Sequence, residues 1–149
     1  TGTEMIVWGG VVSTQYLSPA QADDPAYYLP STGGRYDPVS DTWRPVSTVG
    51  APLGRCGHHA LWTGREMIIW AGGGLKGTVD GGRYDPVTDT WTTLRITGHA
   101  PLYEPASVVW TGDALLSWGG FDLWGGTSGP RLSKQVRIPG GETLVCATA

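Results

Sequence analysis

Short apolar runs separated by glycine and proline turns pattern most of this chain. Residues 5–8 read MIVW, 58–62 read HHALW, 66–70 read EMIIW, 107–110 read SVVW and 114–118 read ALLSW. Each run is too short for a stable helix and is bounded by turn residues, which is the signature of strands. The pattern is clearest in the middle of the chain. The runs within 57–62 and 66–71 flank Thr63-Gly64-Arg65-Glu66, where Gly64 can take the positive φ of a tight hairpin. Beyond Gly72 and Gly73 come a short polar connection, RYD as a third strand, the turn DPVTD, and DTWTTLRI as a fourth strand. In that turn Pro86 presets φ, and the Asp85 and Asp89 carboxylates can accept from nearby backbone N–H groups. The prediction is a unit of four antiparallel strands.

The unit repeats. GGRYDPVSDTW ends at Trp43 and GGRYDPVTDTW at Trp91; TGREMIIW ends at Trp70 and TGDALLSW at Trp118; APLGRCGHHALW ends at Trp62 and APLYEPASVVW at Trp110, each pair being 48 positions apart. TGTEMIVW ends at Trp8, which lies 62 positions before Trp70, so the first unit carries 14 additional residues between Gly10 and Gly33. All tryptophans but Trp124 fall on repeat positions, where large aromatics are expected to pack between neighbouring twisted sheets. Asp37, Asp41, Asp85 and Asp89 recur within the turn and read as structural. Glu4, Glu66 and Asp113 fall in equivalent hairpin turns and read as solvated charges. Arg35 and Arg83 follow the diglycines and read as internal hydrogen-bonding partners.

A period near 50 residues, with an apolar strand ending in Gly-Gly and a Tyr followed seven positions later by Trp, resembles the kelch repeat, in wording close to bacterial kelch-like repeats. The resemblance covers residues 2 to about 120 and fades after Gly126. It implies an all-β fold of kelch-type β-propeller blades, each of four antiparallel strands ordered from the innermost outward. On that reading residues 1–48 are a first blade lacking its innermost strand, with an inserted loop at 11–32; residues 49–97 are a complete second blade; residues 98–149 are a divergent third blade and C-terminal segment. Propellers typically have 4 to 8 blades, so about three are incomplete or are completed by another copy. The implied partners are the remaining blades of a longer chain or a second copy in a homodimeric six-bladed ring; unusual ends capping an open array are the third possibility. KQVRI and ETLVCAT are candidate strands near the C-terminus. Residues 142–148 are either the outer strand of the third unit or a guest in the vacant inner position of the first. Thr1 stands directly inside a strand pattern, as if the beginning had been processed or trimmed.

Composition narrows the partners. The 149 residues include 24 Gly and 11 Pro, which suits turn-rich β structure, and the only lysines are Lys76 and Lys134. A net charge of −3 offers no basic field, so no nucleic-acid binding is expected. No apolar run approaches the roughly 20 residues of a membrane span. Cys56 and Cys146 match no metal motif, and a bridge between them is left open. His58 and His59 are neighbours on one strand and point to opposite faces, so no metal site and no cofactor are predicted. Low lysine with abundant Thr, Gly and Trp favours an exported or cell-surface location.

Some kelch-fold proteins are copper radical oxidases or sugar epimerases, so the resemblance leaves catalysis open. The Tyr, His and Cys set of such oxidases aligns to nothing here, and no Ser-His-Asp or nucleophile-elbow pattern is present; no catalytic residue is assigned. The expected function is a binding or assembly scaffold that recognises a protein or a glycan through loops on one propeller face, at 11–32, 74–80 and 121–130. Tyr16, Asp23, Asp24, Tyr27 and Tyr28 belong to the first loop, and Phe121, Asp122 and Trp124 to the third. Tyr and Trp supply contact area with few torsions to freeze, and carboxylates add directional acceptors. Arg55 and Tyr103 join the candidate set because the connections STVGAPLGR and TGHAPLYE approach that face in the family it resembles. The alternatives are a fragment of a kelch-fold enzyme, oxidase or epimerase-like, with its catalytic residues on missing blades, and a surface-assembly building block.

Overall fold

The computed structural model describes residues 1–12, 29–74, 81–94, 96–98, 107–118, 132–137 and 144–146. Among the described residues every element is a strand: β1 (Met5–Trp8), β2 (Gly33–Asp37), β3 (Thr42–Pro45), β4 (Arg55–Cys56), β5 (His59–Trp62), β6 (Met67–Trp70), β7 (Gly73–Gly74), β8 (Gly81–Asp85), β9 (Thr90–Leu94), β10 (Ile96–Gly98), β11 (Ser107–Trp110), β12 (Ala114–Trp118), β13 (Leu132–Arg137) and β14 (Leu144–Cys146). Three antiparallel meanders follow one another: a first sheet β1-β2-β3, a second β5-β6-β8-β9 and a third β11-β12-β13. The second is the four-stranded unit anticipated from the pattern. Among the described residues, the first has no strand in the place that β5 takes beside β6.

The repeat is also a repeat of register. Met5 pairs with Tyr36 and Tyr36 with Trp43 in the first sheet, as Met67 pairs with Tyr84 and Tyr84 with Trp91 in the second. Side chains alternate faces along a strand, so the register sorts them into two cores. Trp8, Val46, Ile6 and Ala51 on the first-sheet side pack against Met67, Ile69, Tyr84 and Trp91 of the second. On its other face the second sheet packs Ile68, Trp70 and Leu94 against Leu115, Val108 and Trp110 of the third. Strand β6 is thus buried at every residue, which is why its sequence is a continuous apolar run without alternation. The first-sheet counterparts of Met67, Ile69 and Trp91 are Met5, Val7 and Trp43, and all three are exposed.

The diglycine has a steric cause. A Cβ on Gly82 would sit 2.8 Å from the Trp91 ring and 2.8 Å from Pro52 Cδ, and one on Gly34 would sit 2.8 Å from the Trp43 ring. The bare glycine lets each indole lie across its neighbour strand, beside a tyrosine whose ring centroid is 5.1 Å away in both sheets. The turn is equally reproducible. Asp37 and Asp85 each accept from the backbone N–H two residues on, at 2.8 Å. The Tyr36 and Tyr84 hydroxyls donate to Asp41 and Asp89 at 2.7 and 2.6 Å. Asp41 and Asp89 have φ of 54° and 53°, a conformation that Asp tolerates better than most residues. The structural reading of these four acids holds.

Two expectations change. Glu4 and Glu66 are not solvated turn charges: Arg35 Nε donates to Glu4 and Arg83 Nε to Glu66, each at 2.9 Å, because each acid leads into a strand that pairs directly with the arginine strand, Ile6 opposite Arg35 and Ile68 opposite Arg83. Asp113 does serve its turn, accepting from Thr111 Oγ1 at 2.9 Å. Residues 144–146 pair in parallel with Ile96–Gly98, so that segment lies beside the end of the second unit and does not fill the open edge of β1. Cys56 is a free thiol. The small antiparallel pairing of β4 with β7, which joins the entry to β5 with the exit from β6, has no signal in the hydrophobic pattern.

Candidate functional site

Nine of the candidate binding residues, Tyr16, Asp23, Asp24, Tyr27, Tyr28, Tyr103, Phe121, Asp122 and Trp124, lie outside the described residues. Arg55 is described, and it is 0% exposed. Its Nε donates to Leu53 O at 3.0 Å and its Nη1 to Ala71 O at 3.1 Å. Its own carbonyl accepts from Gly10 N at 3.0 Å. Arg55 therefore ties together the connection into the second sheet, the chain leaving β1 and the chain leaving β6. It underpins the roots of the 11–32 and 74–80 loops instead of presenting a guanidinium to solvent.

His58 lies beside it, edge-on to Trp8 with ring centroids 5.6 Å apart. Burial, and then the nearby Arg55 charge, hold its imidazole below the ordinary histidine range. A histidine that titrates lower folded than unfolded binds fewer protons in the native state, so its contribution to stability is present above the unfolded value of about 6.5 and is lost as the pH falls towards the folded one. Melting temperatures taken from pH 7.5 down to 5 should fall, and His58→Gln should flatten that slope; an unchanged slope in the variant would remove His58 as its source. A second loss is expected near pH 4 and below. There Glu4, whose carboxyl is held low chiefly by its hydrogen bond to Arg35, and Asp37, held low by the Val39 N–H, take up protons.

At the opposite end of the strands, where the hairpin turns lie, the first and second sheets enclose a groove of about 570 Å³ lined by Glu4, Arg35, Arg44, Trp62, Arg65 and Pro86, among others. Arg35 spans it: its Nε holds Glu4, and its Nη1 donates to Pro86 O in the turn of the second sheet at 2.6 Å. Arg44 pairs with the other oxygen of Glu4, and Arg65 Nη2 approaches Asp85 Oδ2 at 3.2 Å. The Arg44 and Arg65 side chains are nevertheless 61% and 77% exposed. Three guanidiniums meet the Glu4 and Asp85 carboxylates here, with the Asp37 and Asp89 charges acting on Arg44 from farther off.

The groove was not anticipated from the sequence, although a signal for it was present. Arg65 stands where the first unit has Thr3 and the third has Asp113, and Arg44 stands where the second unit has Thr92. Residues that depart from a repeat are those the repeat does not require.

Among the described residues no group of three or more His, Cys, Asp and Glu is arranged to hold a metal ion, and no helix is long and apolar enough to cross a membrane. No protein-family model matches the chain, and a search of curated proteins finds no match.

Proposed function

We propose that this chain is a run of kelch-type propeller blades acting as a binding and assembly scaffold, in which the first sheet receives a further sheet of the same repeat. The observation that carries the proposal is the contrast between Trp91, 9% exposed beneath the first sheet, and its repeat counterpart Trp43, 57% exposed with no described sheet over it. The second sheet shows what fits such a face: a sheet presenting a tryptophan and a valine in the manner of Trp8 and Val46. Met5 and Val7, exposed beside Trp43, complete an apolar surface of the kind that marks an interaction site. The free edge of β1 adds main-chain donors and acceptors suited to one more strand. Loop recognition of a protein or a glycan belongs to the same reading, with Tyr27, Tyr28 and Trp124 as its contacts.

Light scattering over a concentration series tests the docking surface. Association to twice the 15.8 kDa of one chain, abolished by Trp43→Glu, would identify a second copy as the source of the sheet. A monomer that binds 1-anilinonaphthalene-8-sulfonate through this face, with the dye signal lost in Trp43→Glu, would assign the sheet to other blades of a longer protein. A monomer with no dye binding and no effect of Trp43→Glu would sink the proposal.

A further inference from the structure

We propose that the groove between the first two sheets is a binding site for a saccharide bearing a carboxylate, a sugar of the uronate class, with Arg44 and Arg65 as the anion-binding pair and Trp62 as the platform for the ring. This site lies at the end of the strands opposite the candidate recognition loops and is independent of them.

Three observations converge. The first is subtraction of the repeat. Arg35 and Glu4 have the counterparts Arg83 and Glu66 and are explained as framework, since Arg35 fastens the hairpin of its own sheet and reaches Pro86 O of the next. Arg44 and Arg65 have no such counterparts, yet they arrive from different sheets at one groove.

The second is comparison of equivalent surfaces. In the matching place between the second and third sheets, Thr92 replaces Arg44 and Asp113 replaces Arg65, while the Arg83–Glu66 pair is retained. One cationic residue becomes neutral and the other acidic. The repeat therefore does not require a cation at either position, and the two additional guanidiniums belong to the first groove alone among the two.

The third is the chemistry of the walls. A guanidinium is a planar fork that matches a carboxylate through paired N–H···O bonds, and its charge does not titrate at physiological pH. Arg44 and Arg65 each keep donors beyond those that touch Glu4 and Asp85, because a guanidinium carries five N–H groups. Trp62 borders the same groove and offers a broad apolar ring, the surface on which the C–H face of a pyranose settles. A uronate joins a flat apolar ring and a planar carboxylate in one residue. An acidic peptide supplies the charge without a ring to lie on Trp62, and inorganic phosphate supplies neither the ring nor the planarity.

The test is calorimetric titration of the chain with tetragalacturonate in low-salt buffer. Saturable binding is expected, weakened by added salt as charge pairing at an exposed site requires, and at least tenfold weaker to the methyl-esterified tetramer. Arg44→Gln combined with Arg65→Gln should reduce the affinity tenfold or more. Arg65→Asp, which installs the third unit's residue but also removes the partner of Asp85, should do the same, and its melting temperature and that of the double glutamine variant, read alongside, separate loss of the site from misfolding. Trp62→Leu should weaken binding with the salt dependence intact. Absence of binding to tetragalacturonate, equal binding by Arg65→Asp, or equal affinity for a tetraglutamate peptide would each overturn the proposal, the last by showing that charge alone is recognised.

Discussion

Trp91→Ala should destabilise the protein by about 3–5 kcal/mol, whereas Trp43→Ala, the same substitution at the same repeat position, should cost less than about 1 kcal/mol. Trp91 stands with Trp8 edge-on at 5.6 Å and Tyr84 at 5.1 Å, and its Nε1 donates to Ser47 O at 2.7 Å. Truncation leaves a cavity between two sheets that are held in place by other contacts and cannot close over it. It also strips the Ser47 carbonyl of its indole partner, in the connection that carries the chain from the first sheet to the second. Trp43 has the same tyrosine neighbour, with ring centroids 5.1 Å apart, but is 57% exposed, so its truncation mainly exchanges one solvated surface for another. Urea melts of the two variants decide the matter. For a chain of this size the difference corresponds to roughly 10 °C in melting temperature. If Trp43→Ala proved as costly as Trp91→Ala, the face would be covered in solution, which is the outcome the docking proposal requires of an associated species and excludes for an isolated chain.

The second large effect is at Arg55. Arg55→Met should cost about 2–4 kcal/mol, since hydrogen bonds from a charged donor contribute about 1.5–3 kcal/mol each and the bond to Ala71 O is buried. The acceptors, Leu53 O and Ala71 O, bracket the entry to β4 and the exit from β6. Ala71 itself has φ of 58°, an uncommon conformation for a residue with a Cβ, so its carbonyl is aimed by a strained backbone that the guanidinium helps to hold. The measurement is again the urea midpoint, and the prediction is that Arg55→Lys recovers only part of the loss, because an ammonium cannot span both carbonyls as the fork does. An Arg55→Met variant of wild-type stability would show that these hydrogen bonds do not hold the junction together.

These two cases mark how far the chain can be read from its residues. The meander of the second unit was legible because the forces that set it are local: Gly64 turns the hairpin with φ of 97°, and the Asp-Pro turn closes on its own carboxylates within a few residues. The tryptophan positions were legible as packing positions for the same reason that any periodic large apolar residue is. What could not be read was which of two equivalent tryptophans would be covered, since that depends on a neighbouring sheet and not on the motif. The burial of Arg55 was not legible on the same ground. Its neighbours in sequence suggest a loop at a surface, while its contacts come from residue 71, brought alongside by the pairing of β4 with β7.

The period, the strands of the repeated unit and the chemistry of each turn follow from the residues alone, because hydrogen bonds spanning two to five residues and steric limits on φ operate within any chain that carries those residues. The distribution of charge and exposure follows from packing. Stacking the sheets joined Glu4 to Arg35 and Arg44, carried Arg35 across to Pro86, and set Arg44 and Arg65 around one groove. It buried one face of the first sheet and left Met5, Val7 and Trp43 open. Burial and electrostatic balance are properties of surfaces brought together across tens of residues, and the repeat, which is nearly the same in each unit, does not encode which neighbour each unit meets.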